Sequence, residues 1–185
     1  MKRIVFIYFT ATLFISCTDN SNVRYYSVDK EIDNSQLENT SVASNNNVGL
    51  DYVIPDGWVS SSGSSMRLAS YNVPFDGGVG DLSIIRLGGQ AGGDLANVNR
   101  WRDQLGLPNI DEITLREMEN IEKGYAADYK WYKIINESEP TVSFLCAIIQ
   151  EKSTTLFVKL NIPISAIKEI QKQFLSFCSS IKTTQ

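Results

Sequence analysis

Val142-Ser143-Phe144-Leu145-Cys146-Ala147-Ile148-Ile149 is apolar on both alternations, with Ser143 as the single break. A strand turns successive side chains to opposite faces. An eight-residue run apolar on both faces is therefore a central strand covered from both sides. Its flanks support that reading. Residues 125–134 place Tyr125, Ala127, Tyr129 and Trp131 on one face of a preceding strand. The polar stretch 136–140 separates the two. Lys152-Ser153-Thr154 then turns the chain into a third strand over 155–160. Turns this short join antiparallel neighbours. Pro163 precedes a long helix whose stripe is Ile164, Ile167, Ile170, Phe174, Phe177 and Ile181.

Upstream the pattern is similar. Residues 53–58 are expected to form a strand entering a Pro55-Asp56-Gly57 turn. A serine-glycine loop covers 60–65, strands cover 66–73 and 81–87, and a turn covers 74–80. The next segment is Gly88-Gly89-Gln90-Ala91-Gly92-Gly93, followed by a helix expected to start at an Asp94 N-cap and stop near Gly106, before Pro108. Asp111 caps a further short helix through Glu117. The expected fold is α+β: a mainly antiparallel sheet of about six strands, covered by a mid-chain helix and a long C-terminal helix. The folded domain spans 49–185 as one unit, a size that supports its own core.

This order resembles the PsbP-like fold, an antiparallel sheet sandwiched by helices. Pro55-Asp56-Gly57-Trp58 and Leu156-Phe157-Val158-Lys159-Leu160, leading into the last helix, carry the resemblance. A second resemblance rests on Met66-Arg67-Leu68-Ala69-Ser70-Tyr71, the Gly88–Gly93 run, and Ala96-Asn97-Val98-Asn99-Arg100-Trp101-Arg102-Asp103-Gln104-Leu105-Gly106-Leu107. Those about 45 residues look like an uncharacterised family of bacterial extracytoplasmic lipoproteins, whose function is unassigned, so that no catalytic role carries over from it.

The N-terminus has the layout of an export signal. Lys2 and Arg3 precede an apolar run over 4–15, too short to span a bilayer. Ser16-Cys17 follows at once, and this end of the run resembles a bacterial lipobox. The resemblance implies a signal peptide over 1–16, cleavage before Cys17 and acylation of Cys17 with diacylglycerol and a further fatty acid such as palmitate. The expected partner is thus the lipid bilayer, held through Cys17. The expected location is the bacterial cell envelope, at the outer membrane facing the periplasm or the cell surface. Residues 17–48 are rich in Ser, Asn, Thr and Asp and read as a tether. It reaches about 100 Å stretched and roughly 30 Å as a coil.

Cleavage removes Lys2 and Arg3 and no acid, taking the formal charge from −4 to −6. A chain so acidic is not built for nucleic acid. The sequence has no histidine, which removes Ser-His-Asp and Cys-His catalysis and the commonest zinc ligand. The glycine run lacks the Gly-Lys-Ser/Thr of a phosphate loop, and Asp94 would repel an anion at the helix start. No nucleotide and no cofactor is expected. Asp76, Asp81, Asp94 and Asp103 lack calcium-loop spacing, so no metal is expected. No residue is singled out as catalytic. Cys146 and Cys178 remain as a pair that can be disulfide-bonded or two buried thiols. Trp58, Trp101, Trp131, Tyr71, Tyr129 and Tyr132 are either core or a sugar-stacking platform.

At 100° per residue, Leu95, Val98, Trp101 and Leu105 share one side of the mid-chain helix. Asn97, Arg100 and Gln104 share another and form the candidate binding face. Asn is a poor helix former, so this face needs a reason. Either the side chains reach back to free carbonyls of the glycine turn, or they present donors to a ligand, with Arg100 gripping a carboxylate. The favoured reading is a non-catalytic binding module with an envelope protein or glycan as partner. The alternative is a carboxylate-based hydrolase of an envelope polymer, which needs two acids facing each other in a groove.

Overall fold

The computed structural model describes residues 49–125 and 127–183. The signal peptide and tether expected over 1–48, with Cys17, lie outside the described residues. β1 (Leu50–Asp51) and β2 (Val59–Ser60) are short strands on either side of the Pro55-Asp56-Gly57 turn. The strand expected over 53–58 is not formed. Pro55 has no N–H to give, its carbonyl accepts from Trp58 N at 3.2 Å to close the turn, and Gly57 takes φ 82°.

β3 (Ala69–Phe75) and β4 (Gly78–Gly88) make a hairpin closed by Asp76-Gly77, with Gly77 at φ 87°. The turn is tighter than the one expected over 74–80. Pro74 lies within β3 opposite Val79, beyond the two residues that β2 pairs. A proline is tolerated where the outer edge of a strand is open. Two helices follow, α1 (Asp94–Gln104) and α2 (Glu112–Met118). Asp111 Oδ1 accepts from Thr114 N at 2.9 Å and caps α2 as expected.

The rest is a meander of β5 (Asn120–Lys123), β6 (Asp128–Ile135), β7 (Ser143–Gln150) and β8 (Thr154–Ile162). A 3₁₀ turn at Ile164–Ala166 feeds α3 (Ile167–Ser180), and β9 (Lys182–Thr183) pairs back with β1. The main sheet has seven strands in the order β2-β3-β4-β8-β7-β6-β5, all antiparallel. It thus exceeds the expected six by β5, whose four residues are all exposed and show no alternation to read. Tyr125, expected inside a strand, lies in the β5–β6 connection, 71% exposed, with Lys182 Nζ 3.9 Å from its ring centroid.

Parity along the strands builds two cores. Leu82, Ile84, Leu145, Ala147, Val158 and Leu160 face α3, where Ile170, Phe174 and Phe177 are fully buried. Tyr132, Ile134, Phe144, Cys146, Ile148 and Phe157 face the other way, under Val98, Trp101 and Leu105 of α1 and Leu115 of α2. β7 is buried on both faces from Ser143 to Ile149, as its composition requires. All six aromatics weighed as a sugar platform are core, none more than 7% exposed. Among the described residues, no helix is long and apolar enough to cross a membrane.

Candidate functional site

The glycine run that ends β4 makes the crossing onto α1. Gly89 N donates to Ser153 O at 2.8 Å, and Thr155 Oγ1 donates to Gly89 O at 2.7 Å. Gly89, Ala91, Gly92 and Gly93 all have positive φ. Gly93, not Asp94, is the N-cap of α1, at φ 83° and ψ 170° with no side-chain cap bond. That region of backbone space is essentially reserved for glycine. Asp94 is the first helical residue instead, and its carboxylate turns to Lys130. The helix ends as expected: Gly106 N bonds Asp103 O and Leu107 N bonds Arg102 O, with Gly106 at φ 67°. This is a Schellman stop.

The three residues of the expected polar face divide into two roles. Asn97 is 2% exposed, so it is not surface. Its Nδ2 donates to Gly93 O at 2.7 Å, which also accepts from Asn97 N at 3.3 Å, and to Ala91 O at 3.0 Å, so the side chain ties the glycine turn to the start of the helix. Its Oδ1 accepts from Arg100 Nη1 at 2.6 Å. Arg100 and Gln104 are exposed. Gln104 Oε1 accepts from Lys159 Nζ at 2.8 Å. Asn99, the other costly asparagine, bonds Ile110 through both its amide atoms and ties α1 to the α2 approach.

Arg100, Gln104 and Lys159 rim a cleft of about 150 Å³ between α1 and strands β4 and β8. Ile85, Leu87, Trp101 and Phe157 give it a largely apolar lining, beside Ser83 and Asn97. Trp101 meets Phe157 edge-on, with ring centroids 6.0 Å apart. Among the described residues, no carboxylate lies within 4 Å of either Arg100 or Lys159. Lys159 has only the Gln104 amide and the face of Phe144, 4.5 Å from its ammonium to the ring centroid. Burial pulls Lys159 below the usual lysine range; the charge of Arg67 adds to that shift and the carboxylate of Asp81 opposes it. Arg67 itself is held by Asp81 in a two-point contact at 2.8 and 2.9 Å. Lys159 carries a signal that sequence reasoning passed over. It shares its strand face with Phe157, so the alternation aims a lysine at a covered face.

A larger groove of about 610 Å³ opens on the other flank of α1, toward α2 and β6. Lys130 stands within it, 2.9 Å from Asp94 Oδ2 and 2.8 Å from Glu119 Oε2. Glu119 first and Asp94 second hold Lys130 above its ordinary value. Burial raises the Tyr132 phenol beside them well above the usual range, and the charges of Asp94 and Glu119 add to this. A hydrolase would need its two acids on either side of a substrate bond, with about 5–9 Å between them. Here the Lys130 ammonium fills the space between Asp94 and Glu119. Among the described residues, no three His, Cys, Asp or Glu side chains gather as a metal site would require.

Cys146 and Cys178 are free buried thiols. Cys146 belongs to the α1-side core and Cys178 to the α3-side core. The sheet stands between them, so the disulfide left open by the sequence does not form. Burial lifts both thiols far above their ordinary value, as expected of unreactive core cysteines.

No protein-family model matches the chain, and no curated protein matches it. Solved structures do. Cyanobacterial PsbP (CyanoP) from Synechocystis sp. PCC 6803 has TM-score 0.51 at 10% identity, over 80% of this chain and 98% of that one. A Bacteroides thetaiotaomicron VPI-5482 protein has TM-score 0.47 at 13% identity, over 74% of this chain but only 46% of that one. LpqN, described as involved in cell envelope biogenesis of Mycobacterium tuberculosis, has TM-score 0.41 at 13% identity, over 74% and 83% of the two chains. The likeness to the cyanobacterial protein is one of fold: the chain is a PsbP-like α+β sandwich.

Proposed function

We propose that the chain is a bacterial envelope lipoprotein, anchored through acylated Cys17, whose folded domain is a non-catalytic binding module. Its contact surface is the cleft between α1 and strands β4 and β8. One observation carries this reading. Arg100 and Lys159, two cations in an acidic chain, line one largely apolar cleft, and among the described residues their direct partners are neutral amides and a ring face. Two cations with no described carboxylate in direct contact form an electrostatic vacancy that an external group can fill. The tether over 17–48 gives the module reach from its anchor.

Two readouts test this. Cys17→Ser should abolish fatty-acid labelling and release the protein from the membrane fraction; labelling that persists removes the anchor. A photo-crosslinking amino acid in place of Gln104 should capture a discrete partner in intact cells. The same group in place of Lys168, exposed on α3, should not. Equal capture at both positions, or at neither, removes the binding role of the cleft.

A further inference from the structure

The ligand class follows from the same cleft, and the inference rests on reading that cleft as the binding surface. Volume limits it first. Pockets that enclose whole ligands run about 300–1,000 Å³, and this one holds about 150 Å³, so it accepts an end group. Charge limits it next. Arg100 enters from α1 and Lys159 from β8, so an incoming group meets cations from two sides. Between the cations the lining is largely apolar, from Ile85, Leu87, Trp101 and Phe157, with Ser83, Asn97 and Gln104 as its other polar members. The group that satisfies all three limits is an anionic terminus joined to a small apolar body.

Arg100 is already aimed. Its Nη1 is held 2.6 Å from Asn97 Oδ1, and Asn97 is pinned to the Ala91 and Gly93 carbonyls. A guanidinium fixed at one corner keeps its remaining N–H groups for a planar two-oxygen acceptor. Lys159 is a point charge with two donors left after Gln104. A fork and a point charge suit a carboxylate, with one oxygen shared between them. We propose that the cleft binds the free carboxylate of a ligand whose adjoining group is small and aliphatic. A polypeptide C-terminus ending in an aliphatic residue and a short branched fatty acid both present this chemistry.

The test is an NMR titration of the full mature chain carrying Cys17→Ser. The probes are N-acetyl-leucine, 4-methylpentanoate and the neutral N-acetyl-leucinamide. The Trp101 indole signal should shift with both carboxylates and respond at least tenfold more weakly to the amide. Arg100→Gln and Lys159→Gln, each folded by its dispersed spectrum, should each weaken carboxylate binding at least tenfold. Tighter binding of N-acetyl-leucine than of 4-methylpentanoate assigns the ligand as a polypeptide C-terminus, and the reverse assigns a fatty acid. Equal binding of carboxylate and amide overturns the carboxylate class while leaving the cleft as a contact surface, which the crosslinking at position 104 reads separately. No shift at Trp101 with any probe also overturns it.

Discussion

Arg100 is oriented by Asn97: Nη1 and Oδ1 are 2.6 Å apart, and the same Asn97 amide bonds the carbonyls of Gly93 and Ala91. The glycine turn therefore fixes the direction of an exposed guanidinium through one buried side chain. Two residues that share a helix face thus divide the work. One completes the turn and the other faces the cleft.

Asn97→Ala should be destabilising. It removes the side-chain donor of the Ala91 carbonyl and leaves the Gly93 carbonyl only the backbone N–H of residue 97, in a site that is 2% exposed. The cost should be about 1–3 kcal/mol, read from urea denaturation. A midpoint equal to wild type would show that the Asn97 side chain does not hold the turn.

Phe174→Ala should cost roughly 3–5 kcal/mol, because the side chain is fully buried between α3 and the sheet. Calorimetry or chemical denaturation measures it. An unchanged melting temperature would mean that α3 is not part of the core.

Much of this architecture was legible because period signals survive in single residues. The both-faces apolar pattern of β7 and the stripe of α3 gave the sandwich directly. β5 was not legible, since an edge strand with four exposed residues has no inward face to mark. Asn97 was misplaced on the surface because a helix wheel knows angles but not neighbours. The glycine turn folds back over the first turn of α1 and buries a side that the wheel leaves polar. Gly93 displaced Asp94 as N-cap for a related reason: Lys130, 36 residues away, draws the Asp94 carboxylate to itself. The cleft needed Lys159, whose partner Gln104 is 55 residues away, a separation that local pattern cannot bridge.

Lys130 gives a pH dependence with a definite sign. Its pKa is raised from 10.5 in the fold by Glu119 and Asp94. A raised folded value means that the ion pairs stabilise fully below the unfolded value of 10.5 and are lost as pH climbs through the higher folded value. Urea midpoints of wild type and Lys130→Met should differ most at neutral pH. The difference should shrink above about pH 10.5. A gap that stays constant to strongly alkaline pH would show that the Asp94–Lys130–Glu119 contacts contribute nothing.

The most direct test of the division between Asn97 and Arg100 is a paired measurement on Arg100→Ala: its stability, and its crosslinked partner in intact cells. Arg100 is exposed, and its removal leaves the Asn97 bonds to the turn in place. The variant should unfold within about 1 kcal/mol of wild type and lose the partner captured at the cleft. An Arg100→Ala protein that keeps the partner at the wild-type level, or loses it only in proportion to lost stability, contradicts the account.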